Sequence, residues 1–407
     1  MMKKLGAEYR SLIILSGVAI IMGILVGAMD ALFASVLLLV SHLRDQYLYF
    51  VLPGLPFIGM FIVWYYTNFG KESIQGMSLI FETGHGMREA LPLRMIPMVM
   101  VGTWLSHLFG ASVGREGVAV QIGGTLSYEL GKRLPLKENK RIFLMMGMAA
   151  GFGGVFRTPF AGTLFALEVL APGTIAYEAL LPSLVAALCA SATSGMLGLK
   201  GFTYALKGSV SLDLNTLITL VIAGILFGLI GALFAYGEKQ AKGFFQRKIE
   251  NPYKRIAFLG VIIMAFMYLT NGRYSGLGSN LITMSFDGHT IYVWDFIVKL
   301  ALTLLSLAAG YQGGEVTPLF SIGATAGFVL SLFLPMPAVV LSALGYAAVF
   351  GGATNTLLAP ILIGGEVFGF SHLPYFLIVC VLAFVVNHNL SIYTKQKTRS
   401  VLDEPCA

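Results

Sequence analysis

Residues 316–365 contain no Asp, Glu, Lys or Arg, and Glu366 alone separates that 50-residue run from a second uncharged run at 367–394. A membrane crossing takes about 20 apolar residues, so this part of the chain alone holds more than two. In a bilayer every backbone polar group must be satisfied within the protein, which leaves helices as the economical solution. An all-α, polytopic membrane protein is therefore expected. The whole chain agrees: 12% of its 407 residues are charged, about half the roughly 25% of an ordinary soluble domain. That excludes a soluble enzyme, a disordered protein and a nucleic-acid binder, and makes the lipid bilayer the first partner.

The net charge of +7 then carries topological information. Most of the base lies in four clusters: Lys3, Lys4 and Arg10; Lys132, Arg133, Lys137, Lys140 and Arg141; Lys239, Lys242, Arg247, Lys248, Lys254 and Arg255; and Lys395, Lys397 and Arg399. The positive-inside bias puts all four, with both termini, in the cytoplasm, as in a multi-pass protein of the cell (inner) membrane. Cys189, Cys380 and Cys406 form no CxxC pair and the six histidines no HExxH, so neither a metal site nor a disulfide framework is expected, and no cofactor. The tail after Tyr393 is short, and no soluble regulatory domain is expected.

Apolar periodicity suggests long helices over 11–41, 47–67, 91–109, 175–199, 213–237, 255–271, 291–310 and 373–387. Between them fall shorter, glycine-rich apolar pieces at 74–83, 116–131, 142–156, 159–170, 316–331, 338–350 and 356–369. Such broken helices are tolerated only where they are buried in protein or line a cavity. Residues 147–169 and 345–367 share eleven identities in 23 ungapped positions, from Gly147/Gly345 to Glu168/Glu366 and Val169/Val367, and Ile122-Gly123 recurs as Ile322-Gly323. The chain is therefore expected to be an internal duplication, with residues 1–205 and 206–407 as two membrane repeats and the site at their interface. Glu168 and Glu366 hold the same place in both halves, which argues for a structural role. The pairs Gly23/Gly27 and Gly224/Gly228 read as close-packing faces within one chain.

The sharpest motif is Gly114-Arg115-Glu116-Gly117-Val118, heading the helix at 116–131. A helix N-terminus offers unpaired N–H groups and the positive end of the dipole, together an anion site. Glu116 puts a carboxylate where an anion would sit, and a carboxylate leaves when protonated, so one side chain can serve as gate and proton carrier. Two further breaks could complete the site: Gln75-Gly76-Met77-Ser78 and Gly313-Gly314-Glu315-Val316-Thr317-Pro318. Tyr393 supplies a late phenolic donor. Gly110-Ala111-Ser112-Val113-Gly114 fits the G-x-S-x-G pattern of a hydrolase, but its nearest histidine, His107, lies about 140° away around a helix. Asp30 stands in mid-span and needs a partner the sequence does not name.

These motifs resemble the CLC family of anion channels and anion/proton antiporters, over nearly the whole chain. The resemblance implies a homodimer of inverted-topology repeats with broken, tilted helices and one pore per protomer. It aligns Glu116 with the family's gating glutamate, and Gly314 to Pro318 and Tyr393 with its anion-coordinating segments. The implied anion-binding and selectivity residues are Gly76, Met77, Ser78, Gly114, Arg115, Gly117, Val118, Val316, Thr317 and Tyr393. Met77 stands where chloride carriers have serine, Val118 replaces a proline, Val316 a phenylalanine, and Val169 the usual inner proton acceptor. That combination is similar to the fluoride/proton antiporter branch, with Glu315 as a candidate second acid. The implied partners are fluoride and protons, and the implied role is export of fluoride. A chloride/proton antiporter or a passive chloride channel on the same fold is the alternative.

Overall fold

The computed structural model describes residues 2–134, 140–208 and 212–397, with side chains from residue 13 onward. The side chains of Lys3, Lys4 and Arg10, together with Lys137, Arg399 and Cys406, lie outside the described residues.

The described chain is all-helical. Its first half runs α1 (Met2–Gln46), α2 (Leu48–Val51), α3 (Leu55–Tyr65), α4 (Met77–Gly84), α5 (Met95–Leu108), α6 (Glu116–Gly131), α7 (Lys140–Phe156), α8 (Pro159–Glu168) and α9 (Leu180–Met196). The second runs α10 (Leu214–Lys248), α11 (Pro252–Leu269), α12 (Ser279–Asp287), α13 (Asp295–Ala309), α14 (Val316–Leu330), α15 (Ala338–Thr354), α16 (Leu358–Phe368) and α17 (Leu373–Val386). Five stretches are long and apolar enough to cross a membrane: Ile13–Gln46, Leu48–Gly84, Tyr177–Met196, Leu214–Lys248 and Pro252–Leu269.

Helix boundaries have local causes. Asp213 starts α10 by accepting the Thr216 N–H at 2.8 Å. Asn251 starts α11 by accepting from Tyr253 and Lys254, with Pro252 in the first turn. Both α5 and α13 run out at a glycine in the left-handed region, Gly110 (φ +91°) and Gly310 (φ +109°), where a Cβ would be strained. The α7–α8 and α15–α16 breaks fall at Arg157 (φ +63°) and Asn355 (φ +55°), again at matching places in the two halves.

Three boundaries differ from the sequence reading. The span expected at 47–67 is interrupted by a tight turn at Leu52–Gly54 carrying Pro53, because proline cannot donate into a continuing helix. Helix α10 continues to Lys248: its last eleven residues include Glu238, Lys239, Lys242, Arg247 and Lys248, and so much charge ends an apolar run without ending the helix. Helix α12 was not anticipated, since Ser279–Asp287 mixes polar and apolar residues over only 9 residues.

Packing repeats between the halves. Helix α6 lies on α7 as α14 lies on α15, and α1 lies on α9 as α10 lies on α17. Glycines set the closeness. Gly23 and Gly27 face Ala186, Cys189 and Ala190 of α9, while Gly224 and Gly228 face Val379, Leu382 and Ala383 of α17. A Cβ on Gly27 would stand 2.5 Å from the Ala190 carbonyl oxygen. With no hydrophobic drive between helices in lipid, such backbone proximity supplies the dispersion energy, and both glycine pairs are used within the chain.

Two glutamates tie the halves together. The Glu168 carboxylate, at the end of α8, accepts the N–H groups of Leu357, Leu358 and Ala359 at 3.3, 3.0 and 2.8 Å, satisfying the start of α16. Reciprocally, Glu366 in α16 accepts from Phe160 and Ala161 at 3.1 and 2.8 Å, at the start of α8. Each carboxylate meets otherwise orphaned donors at a positive helix end.

Candidate functional site

The loops that precede α6 and α14 meet at the centre of the molecule. Gly114 and Gly314 form an isolated antiparallel bridge in which each N–H donates to the other's carbonyl, the Gly314 N–H at 2.9 Å. Two serines brace the loops from the opposite half. Ser106 Oγ accepts the Gln312 N–H at 3.0 Å, and Ser306 Oγ accepts the Ser112 N–H at 3.1 Å. Only glycine fits the bridge: a Cβ on Gly314 would stand 2.8 Å from the Gly117 nitrogen, and one on Gly114 2.8 Å from Glu116 Oε2. The bridge therefore brings two helix N-termini together, and with them two sets of unpaired N–H donors.

Glu116 occupies that place. Its side chain is fully buried. Oε2 accepts the Arg115 N–H at 3.0 Å and the Thr317 N–H at 2.9 Å, Oε1 accepts the Thr317 hydroxyl, and the Arg115 Nε lies 3.6 Å from Oε1. A carboxylate with several N–H and O–H donors at two converging helix ends occupies a built anion site.

Immediately beyond lies a cavity of about 370 Å³, whose lining includes Gly76, Met77, Ser78, Gly117, Glu315 and Tyr393. Convergence at its deep end is tight: a Cβ on Gly117 would stand 3.8 Å from Glu315 Oε2 and 3.9 Å from Met77 Cγ. The Tyr393 ring is buried against Phe81, with centroids 5.0 Å apart. At the other end the lining passes to Lys242, Arg255 and Lys395, members of two of the basic clusters. Glu116, Gly114, Arg115 and Thr317 are not in the wall. The cavity stops at Gly117 and Glu315, with the buried Glu116 carboxylate behind them.

Two candidates go elsewhere. Val118 is buried in an apolar cluster with Phe33, Leu37, Ile96 and Ile122, because one residue along a helix turns the side chain about 100° from the glycine face. Val316 is buried in the main core. Neither side chain is in the cavity wall. Ser112 Oγ bonds Thr303 Oγ1 at 2.8 Å, while His107 Nδ1 faces the Thr103 carbonyl at 2.9 Å, so the two form no dyad. Asp30 is fully buried with neither oxygen hydrogen-bonded among the described residues; its carboxylate fills the space that a side chain on Gly154 would take.

Several wall residues escaped the sequence reading, or, like Lys242, were read only for topology. Gln121 sits on α6 beside Gly76, whose Cβ position lies 3.4 Å from Gln121 Oε1. Glu238 and Lys242 form an ion pair at 2.5 Å on α10 and also line the cavity. Their i, i+4 spacing was legible, but the face they share was not.

Comparison with known proteins places this arrangement among relatives. Residues 58–388 match the family model described as voltage-gated chloride channel. A "Chloride/fluoride channel protein" of Pseudomonas syringae pv. tomato is 39% identical over 385 residues, covering 93% of this chain and 85% of that protein. The crystal structure of a CLC-type fluoride/proton antiporter superposes with a TM-score of 0.94 at 46% identity, covering 95% of this chain and 98% of that one. A slow cyanobacterial Cl−/H+ antiporter shares the fold, with a TM-score of 0.79 at 23% identity over 95% of this chain and 96% of that one.

Proposed function

The chain belongs to the voltage-gated chloride channel family, and on that premise we propose that it is a secondary transporter exchanging fluoride for protons. The observation that carries the reading is the Glu116 carboxylate, held by the Thr317 hydroxyl and by the N–H groups of Arg115 and Thr317. Fluoride is small and strongly hydrated, and it accepts hydrogen bonds and protons far better than chloride. A site for it must replace water with close donors, and those around Glu116 are of that kind. When Glu116 is protonated it no longer competes for them and leaves, and the neutral carboxyl becomes a donor to the ion that the carboxylate repelled. The anion then meets Met77, Gly117 and Tyr393 on its way to the cavity, with Glu315 as the second acid of the proton route.

The named relatives, a chloride/fluoride channel protein and a CLC-type fluoride/proton antiporter, support fluoride as cargo. Met77 supports it too, since it stands where the resemblance places the serine of chloride carriers. The molecule is read as a homodimer of protomers with one pore each, built from inverted repeats at 1–205 and 206–407. It is placed in the bacterial inner membrane with both termini cytoplasmic. There it would use the inward proton gradient to expel fluoride.

The test is the purified protein in liposomes, with fluoride, chloride and pH recorded together. An outward fluoride gradient should drive protons inward, and Glu116→Gln should move fluoride without pH coupling. Chloride flux equal to fluoride flux, or Glu116→Gln vesicles that keep proton coupling, would overturn the reading.

A further inference from the structure

Glu238 is the only acidic residue of α10, and at 3% exposure it is buried in the protein. Its Oε1 receives the Lys242 ammonium at 2.5 Å, while its Oε2 has no hydrogen-bond partner among the described residues. Buried carboxylates ordinarily have both oxygens satisfied. Here the unsatisfied one belongs to a side chain in the wall of the cavity that ends at Glu315 and opens between Lys242, Arg255 and Lys395. Glu238 and Glu315 share this wall with the buried Tyr393. One acid at the deep end, another partway along and polar space between them describe a two-step proton route.

We propose that Glu238 is the inner proton station of the exchange, taking each proton from Glu315 and releasing it to the cytoplasm. The inference rests on the fluoride/proton reading and adds a residue to it. For an inward proton, neutral Glu315 gives its carboxyl proton to Oε2 of ionised Glu238 through water in the cavity, a space of suitable size and polarity. Glu315 is left as a carboxylate and Glu238 as a neutral acid. Glu238 then passes the proton to bulk water, and the Lys242 ammonium at Oε1 stabilises the carboxylate that reforms. The other charged or titratable groups in the same wall are Tyr66 just after α3, Tyr311 in the loop before α14, Glu315 at the start of α14, Arg255 on α11, and Tyr393 and Lys395 on the final segment.

The experiment compares wild type, Glu238→Gln, Glu238→Asp and Lys242→Gln in liposomes under a fluoride gradient at several internal pH values. Fluoride binding to each detergent-solubilised protein is measured by calorimetry. Glutamine keeps an acceptor for Lys242 but cannot carry the proton. Proton flux in Glu238→Gln should fall by about a hundredfold or more and lose its dependence on internal pH, with fluoride affinity retained. Aspartate should recover part of both. Lys242→Gln, whose head is partly exposed, should slow proton release, by less than Glu238→Gln does. Wild-type proton flux in Glu238→Gln or in Lys242→Gln, or Glu238→Asp behaving no better than glutamine, would overturn the station. Wild-type vesicles that move fluoride without protons would overturn the antiport reading beneath it.

Discussion

Replacing Glu168 with alanine removes the acceptor for three N–H groups at the start of α16 while leaving the helix in place. The Leu358 and Ala359 bonds, at 3.0 and 2.8 Å, are full hydrogen bonds, and each donor stranded in a buried site costs about 1–3 kcal/mol. The Leu357 bond, at 3.3 Å, adds less, and loss of the anion at a helix N-terminus adds about 0.3–1 kcal/mol. The expected destabilisation is about 3–6 kcal/mol. Glu168→Gln keeps one acceptor oxygen and should lose roughly half of that. Glu366 serves only two donors, and one of them belongs to Phe160, which is 45% exposed; Glu366→Ala should therefore cost less, about 2–4 kcal/mol. Thermal unfolding in detergent should rank wild type above Glu168→Gln and Glu366→Ala, with Glu168→Ala lowest. Because helix donors occupy the carboxylate, Glu168→Gln vesicles assayed well below the melting midpoint should keep the wild-type ratio of protons to fluoride. A Glu168→Gln protein that melts like wild type but has lost proton coupling would refute this reasoning and make Glu168 part of the proton path.

Thr317→Val keeps the backbone N–H on Glu116 but deletes the hydroxyl, and a hydrogen bond to a charged group contributes about 1.5–3 kcal/mol. The hold on the Glu116 carboxylate should weaken by on the order of ten- to a hundredfold, and because fluoride would use the same hydroxyl, fluoride binding in calorimetry should weaken as well; unchanged affinity would mean that the Thr317 hydroxyl is not part of the fluoride site. Gly314→Ala would place a methyl 2.8 Å from the Gly117 nitrogen and 3.3 Å from that of Glu116, splaying the paired helix starts at a cost of about 1–3 kcal/mol. Transport should fall by about tenfold or more while the protein stays monodisperse on size exclusion, and wild-type rates would show that the bridge does not set the site.

Uncharged runs of this length allow only a membrane protein, and the ungapped match between 147–169 and 345–367 shows that two similar segments must be arranged. The position of Glu116 at a helix start was readable because Gly-Arg-Glu-Gly followed by an apolar stretch is local information. So was the structural character of Glu168 and Glu366, since a group present in both halves serves the architecture common to both. Each of these signals lies within one or two turns of chain or in a comparison of the chain with itself.

The partners of those groups were decided only in three dimensions. Thr317 reaches Glu116 across 201 positions, and Leu357 to Ala359 reach Glu168 across about 190. Val118 and Val316 turned into the core, while Glu238 turned toward the cavity. The physical reason is that helices apolar all round carry no amphipathic stripe, so the sequence determines that they cross the membrane but leaves their rotation open. Rotation is set by where glycines let backbones close, at Gly27 on Ala190 and at Gly114 on Gly314. The scarcity of charge determined the solvent of this protein, and tertiary packing decided which of its few charges face one another.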